Sequence, residues 1–266
     1  MNYRHIYHAG NFADVVKHIT LIALLQKLKS KDKPFAVLDA FAGLGLYNLD
    51  SVESQKTNES LNGIKRFIDR DFSNELLSEY IRIVRSHNGL YPGSPMITSH
   101  VIRENDRLIA CELHEEDHVT LKNNMMGGAE IHHLDAYLAV KAFWPPKEKR
   151  GLILLDPPFE VTNEFEKTLK VMSLIKQRFS SGMTMLWYPI KDDKVVQTFY
   201  EGYKKIGYSE TLILEFDMSR IETAGLQKCG LLISNPPDIM NILDQTMSLL
   251  AREIYNNLAK YSIRLL

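Results

Sequence analysis

Apolar residues recur at helical spacing between residues 11 and 30, where Val15, Val16, Ile19, Ile22, Ala23 and Leu25 predict a helix with one apolar face. Asn11 is placed to cap it and Asp14 to favour the positive end of its dipole. Pro34 ends the element, and the unbroken run Phe35-Ala-Val-Leu-Asp-Ala40 predicts a buried strand entering the turn Phe41-Ala-Gly-Leu-Gly45. Residues 51–90 are polar, with amphipathic stretches around 59–70 and 74–87 that predict a small helical insertion ending in Tyr91-Pro-Gly-Ser-Pro95. Regular alternation then begins. Strands are expected at 107–111, 129–133, 151–155 and 183–187, with helices at 115–126, after Asp135, at 162–178 and at 192–206. Two strands, 209–216 and 229–234, and a C-terminal helix over 239–259 complete the pattern.

Strands alternating with helices predict an α/β fold, a mostly parallel, doubly wound Rossmann-like sheet covered on both faces. The two late strands have no room for a helix between them, which predicts an antiparallel edge. Residues 1–266 are expected to form a single domain with residues 51–90 inserted in it.

Composition narrows the class. The 45% hydrophobic and 24% charged content is that of a globular protein, and no apolar run reaches the length of a membrane span. The first ten residues lack the apolar core of a signal peptide. Cys111 and Cys229 sit in no metal-ligand spacing, so a reduced, cytoplasmic setting is expected. The net charge of −1 is not that of a general nucleic-acid binder, so any such partner must meet local positive charge. Two runs offer it: Arg4, Lys17, Lys27, Lys29, Lys31 and Lys33 around the first helix, and Lys147, Lys149 and Arg150.

In a doubly wound sheet, ligands bind outside the carboxyl ends of the strands. Four such ends carry chemistry here. Gly43 and Gly45 permit a tight turn and close approach to a nucleoside, or serve turn geometry alone. Glu112 can accept from both hydroxyls of a ribose. Asp135 can accept from an adenine amine or cap the helix that begins at Ala136. Asp156-Pro-Pro-Phe159 is the most specific. The Asp156 carboxylate and the Pro157 carbonyl can accept the two hydrogens of an exocyclic amine, and Phe159 can stack on an extruded base. Asn235-Pro-Pro237 repeats part of this motif after the late strands, the wrong place in the sheet, and lacks the aromatic residue. His114 and His118, and the pair His132-His133, have no third ligand beside them, so no metal is expected.

These residues resemble class I methyltransferases with an Asn/Asp-Pro-Pro-aromatic motif and, more narrowly, the RlmJ family of bacterial enzymes that methylate adenine N6 in 23S ribosomal RNA. The resemblance rests most specifically on Tyr3-Arg-His5, His8-Ala-Gly-Asn11, Lys17-His18 and Tyr91-Pro-Gly-Ser-Pro95, with Glu112-Leu-His114, Asp156-Pro-Pro158 and Trp187-Tyr-Pro189 further on. It implies S-adenosylmethionine as cofactor, held by His18, Phe41, Gly43, Ser94, Glu112, Asp135, Ala136 and Asp156. It makes Asp156 the catalytic residue and puts Tyr3, Lys17, Pro157 and Phe159 near the RNA base of a monomeric enzyme. Two positions depart from the family, which has a histidine where Phe41 stands and a tyrosine where Phe159 stands. The competing expectations are an adenine-N6 methyltransferase acting on DNA, and a non-catalytic nucleic-acid-binding protein linked to use of external DNA. Nothing in the chain supplies nuclease chemistry for the latter.

Overall fold

In the computed structural model the described residues are 4–160, 163–221 and 225–266. Helix α1 (Phe12–Lys29) begins where expected, with the Asn11 side chain accepting from the Asp14 N–H. Its environment differs from the one-faced helix of the pattern. Every residue from Phe12 to Leu25 is buried, because α1 is enclosed by the sheet and by helices contributed later in the chain. Lys17 and His18 are therefore interior residues. Lys17 does not belong to a basic surface, and Arg4 is paired with Asp117 at 2.5 Å.

After α1 come β1 (Ala36–Asp39), β2 (Leu46–Asn48), α2 (Val52–Thr57), α3 (Glu75–Arg85), β3 (Leu90–Pro92) and α4 (Ser94–Val101). The stretch expected as one helix over 59–70 is instead two short 3-10 turns, Glu59–Asn62 and Ile64–Arg66. Packing explains the break. Gly63 lies so close to the loop before α1 that a Cβ there would meet the Gly10 carbonyl at 2.0 Å, and the Ile64 N–H donates to that carbonyl at 2.9 Å. The strands on either side of this region, β2 and β3, pair as a two-stranded antiparallel ribbon.

The remaining elements are β4 (Arg107–Glu112), α5 (Glu115–Met125), β5 (Glu130–His133), α6 (Ala136–Phe143), β6 (Gly151–Leu155), α7 (Glu164–Arg178), β7 (Met183–Pro189) and α8 (Asp193–Lys204). They are followed by β8 (Thr211–Asp217), β9 (Lys228–Ser234), α9 (Met240–Leu249) and β10 (Lys260–Leu265). The main sheet has the order β10-β8-β9-β7-β6-β1-β4-β5. Strands β5, β4, β1, β6 and β7 are parallel, whereas β9, β8 and β10 run antiparallel to their neighbours. The antiparallel edge is thus wider than the pattern implied. The C-terminal helix stops at Leu249, a single wide turn covers Leu250–Ile254, and Asn256 and Asn257 in left-handed conformations turn the chain into β10. Side chains of β6 alternate between two cores, Leu152 and Leu154 packing with α1 and Ile153 and Leu155 with α7 and α8. That alternation gives a Rossmann-like sheet with helices on both faces.

Candidate active site

The carboxyl ends of β1, β4, β5 and β6 lie side by side and bring Asp39, Glu112, His133 and Leu155 to one edge, with Asp135 and Asp156 just beyond it. The loop after β1 is shaped by necessity at Gly43, whose φ is +62° and where a Cβ would fall 2.1 Å from the Tyr47 hydroxyl. Glu112 fastens this loop. Its Oε2 accepts from the Gly43 N–H at 3.0 Å and its Oε1 from the His114 N–H at 2.8 Å. Burial pushes the Glu112 carboxyl up from its usual range, and these two N–H groups pull it back. A carboxylate has about four acceptor positions, so two remain for a ligand.

Glu112 faces a narrow cleft of about 80 Å³ that Phe41, Gly43, His18, Ser94, Asp135, Ala136 and Asp156 also line. All eight positions expected to hold the cofactor are brought together there. Phe41 meets Tyr137 edge to face, with ring centroids 6.1 Å apart, so packing occupies the place of the family's polar side chain. Asp135 caps α6, its Oδ1 accepting from the Tyr137 and Leu138 N–H groups, and it also lines the cleft.

Two interior groups have unused hydrogen-bonding capacity, His18 on the cleft lining and Asp39 directly behind Ser94 and Phe41, which line it. Asp39 is fully buried, and neither of its carboxylate oxygens has a well-formed partner, although Ser94 and the Phe41 N–H lie close by. Burial raises its carboxyl to about 7. His18 is 1% exposed, its Nδ1 is 2.8 Å from the Tyr91 hydroxyl, and its Nε2 has no partner. Burial lowers its pKa to about 3, so the ring is neutral. An amino-acid moiety carrying an ammonium and a carboxylate fits this pair, an acceptor and an imidazole beside the Ser94 hydroxyl. S-adenosylmethionine has such a moiety, and its ribose diol matches the free acceptor positions of Glu112.

Asp156 lies between this cleft and a larger cavity of about 590 Å³. Lys17 Nζ, from α1, donates to Asp156 Oδ2 at 2.5 Å and meets Asp14 Oδ1 at 2.7 Å. Asp14 Oδ2 accepts from the Gly10 N–H at 2.9 Å and lies 3.0 Å from His5 Nε2. Burial opposes both charges of the Asp14–Lys17 pair. The His5 and Lys17 charges nevertheless hold Asp14 well below its usual value, and Asp14 and Asp156 hold Lys17 well above its own. The pattern assigned Asp14 to the helix dipole alone. That it anchors the partner of Asp156 becomes visible only once α1 is interior.

The larger cavity is lined by Trp187, Pro158, His8, Lys191 and Lys228, among others. The other expected substrate residues fall differently. Pro157 is buried and lines neither space, whereas Pro158 lines both. Phe159, at φ +48°, packs on Phe165 and Trp187 and is on neither lining, so the aromatic surface facing the cavity is Trp187. Tyr3 lies outside the described residues. Asn235 has a structural use at the opposite end of the sheet, its amide donating to the Ser180 and Gly182 carbonyls at 2.9 and 2.8 Å. Lys27, Lys31, Lys33, Lys149 and Arg150 meet near it, so the two basic runs share a groove remote from Asp156. Among the described residues no group of three His, Cys, Asp or Glu side chains can hold a metal, and no helix is long and apolar enough to cross a membrane.

A family model described as ribosomal RNA large subunit methyltransferase D, RlmJ, matches residues 32–263. The ribosomal RNA large subunit methyltransferase J of Haemophilus influenzae is 34% identical over 246 residues, covering 89% of this chain and 88% of that protein. Its Escherichia coli counterpart is 34% identical over 245 residues with the same coverage. A crystal structure of a Legionella pneumophila protein superposes with a TM-score of 0.87 at 32% identity, covering 97% of this chain and 98% of that one. A probable spermidine synthase from Corynebacterium glutamicum shares the fold at a TM-score of 0.52 and 10% identity, covering 98% of this chain and 78% of its own.

Proposed function

The chain belongs to the RlmJ family of ribosomal RNA large subunit methyltransferases, and from that premise we propose that it transfers a methyl group to the exocyclic N6 amine of an adenine in 23S ribosomal RNA at Asp156. The observation that carries this reading is the meeting of two spaces at one carboxylate. One is lined by acceptors suited to a nucleoside with an amino-acid tail, the other by an indole, lysines and carboxylates.

When bound, S-adenosylmethionine supplies an electrophilic methyl group on a sulfonium. The chain's own residues must present a poor nucleophile to it, because the lone pair of an adenine amine is delocalised into the ring. Lys17 occupies Oδ2 of Asp156 and leaves Oδ1 to accept an amine hydrogen. That hydrogen bond favours a pyramidal nitrogen and stabilises the positive charge that grows on it as the N–C bond forms. The proton shed afterwards is within reach of Asp156, whereas Lys17, held firmly protonated, cannot take it. Trp187 offers the face on which an unstacked base rests, and Lys191 at the same cavity offers positive charge to a flanking phosphate.

The test uses 23S ribosomal RNA from a strain lacking this protein. Incubation with the purified enzyme and S-adenosylmethionine should produce N6-methyladenosine by nucleoside mass spectrometry, and Asp156→Ala should not. Methylation of another atom, or of DNA alone, would overturn the reading.

A further inference from the structure

We infer that Tyr91 and Tyr80 are positioning residues that fix the tautomer of His18, so that its Nε2 carries the hydrogen and donates to the carboxylate of the bound cofactor. The inference rests on the cofactor reading above and extends it to residues that line neither the cleft nor the substrate cavity.

Three buried groups form a line. Tyr80 Oη is 3.1 Å from Tyr91 Oη, which is 2.8 Å from His18 Nδ1, and none of the three residues is more than 1% exposed. Neither hydroxyl lines a cavity, so the hydrogens of Tyr80 and Tyr91 must find their acceptors within the line. There are two ways to place the hydrogens on a neutral ring. In the first, Nδ1–H donates to Tyr91, Tyr91 donates to Tyr80, and the Tyr80 hydroxyl hydrogen has no acceptor. Nε2 is then a bare lone pair facing the cofactor's anionic end. In the second, Tyr80 donates to Tyr91, Tyr91 donates to Nδ1, and both hydroxyl hydrogens are used. The remaining hydrogen sits on Nε2, the one ring atom without a protein partner.

Each arrangement leaves one of the three hydrogens outside the line, that of Tyr80 in the first and that of Nε2 in the second. The second wins because His18 lines the cleft, where its spare N–H can be met, whereas a buried Tyr80 hydroxyl without an acceptor has no such outlet. The alternative of a charged ring, which would donate from both nitrogens, is closed by burial, which keeps His18 neutral down to about pH 3. The groups facing His18 from neighbouring elements do not restore the charge: Asp14 favours it, but Lys17 and His5 oppose it. Tyr80 comes from α3 in the inserted segment and Tyr91 from β3, while His18 comes from α1. The insertion therefore supplies the direction of a hydrogen bond made on the other side of the ring.

The experiment uses cofactor-free full-length protein with 15N-labelled histidine, as wild type, Tyr91→Phe and Tyr80→Phe. Each substitution removes one buried oxygen and keeps the ring. The expected 15N shifts show His18 wholly as the Nε2–H tautomer in wild type and as a mixture in both variants. Affinity for S-adenosylhomocysteine by calorimetry should fall about 5- to 10-fold in Tyr91→Phe and less in Tyr80→Phe, the scale of one hydrogen bond. A merely structural role would lower the melting temperature and leave the tautomer alone. A wild-type Nδ1–H tautomer, or unchanged shifts in both variants, would overturn the proposal. Failure of wild type to bind S-adenosylhomocysteine would instead strike the cofactor reading, because the tautomer is read without cofactor.

Discussion

Raising the pH from 5 to 7 should tighten binding of S-adenosylhomocysteine about 50-fold, and Asp39→Asn should remove most of that change. The magnitude follows from Asp39. In the free protein burial keeps its carboxyl at about 7, so it is protonated over most of this window. An ammonium placed beside it favours the carboxylate, so binding expels a proton and affinity grows with the ionised fraction. That fraction is about 1% at pH 5 and about half at pH 7, and the ratio corresponds to about 2 kcal/mol. The sign is that of an acid whose pKa is raised in the free state and lowered in the complex: affinity climbs with pH up to the free-state value, then levels. The ligand's own amine, that of a free amino acid beside its carboxylate, stays charged across this window. Burial also raises the Glu112 carboxyl, and the Asp39→Asn variant separates its contribution from that of Asp39. Calorimetry in two buffers of different ionisation enthalpy gives both the affinity and the protons released. A flat affinity in wild type, or the same slope in Asp39→Asn, would refute the reasoning.

Asp156→Ala should lower kcat far more than it raises KM for RNA, since its contact is made to the reacting amine; equal losses in both would point to a binding role. Glu112→Ala should weaken cofactor binding by about 1–3 kcal/mol, with Glu112→Gln intermediate, because a charged acceptor and the anchor of Gly43 go together; calorimetry reads both. Lys17→Met should cost about 3–5 kcal/mol in denaturant unfolding, because it leaves Asp14 buried without its cation, and a loss below about 1 kcal/mol would show that the pair is not closed to water. Asp14 ionises well below its unfolded value, so the stability it contributes is present above that value and is lost as the pH falls through the folded one. Asp14→Asn should therefore flatten the acid limb of the unfolding curve.

Strands β1, β4 and β6 were legible in the sequence because they are short apolar runs closed by a single acidic residue. Glu112 and Asp156 stand out against that background, and the structure brings both to one cleft. The antiparallel half was harder. β10 reads Lys260-Tyr-Ser-Ile-Arg-Leu265, a polar edge strand that continues the spacing of α9, and only Asn256-Asn257 signals the turn between them. The helix expected over 59–70 failed because Gly63 answers to a carbonyl more than fifty residues away. Asp14 and Tyr91 were visible as residues and not as parts, since their roles depend on α1 being surrounded. Trp187 belonged to the quoted motif, but that it rather than Phe159 faces the cavity depends on a left-handed turn at Phe159 that local pattern does not announce.

The burial of α1 on every side has a consequence for how the enzyme fails. Lys17 and His18 ride on a helix whose amides are shielded by the main core, so their hydrogen exchange should require global opening of the molecule. No partial opening confined to surface loops detaches the charge on Asp156 or the contact to the cofactor's tail. Loss of activity on heating should then coincide with loss of the whole fold. Amino-acid changes selected for a tighter core around α1 should prolong the working life of the catalyst to the same degree that they slow its unfolding.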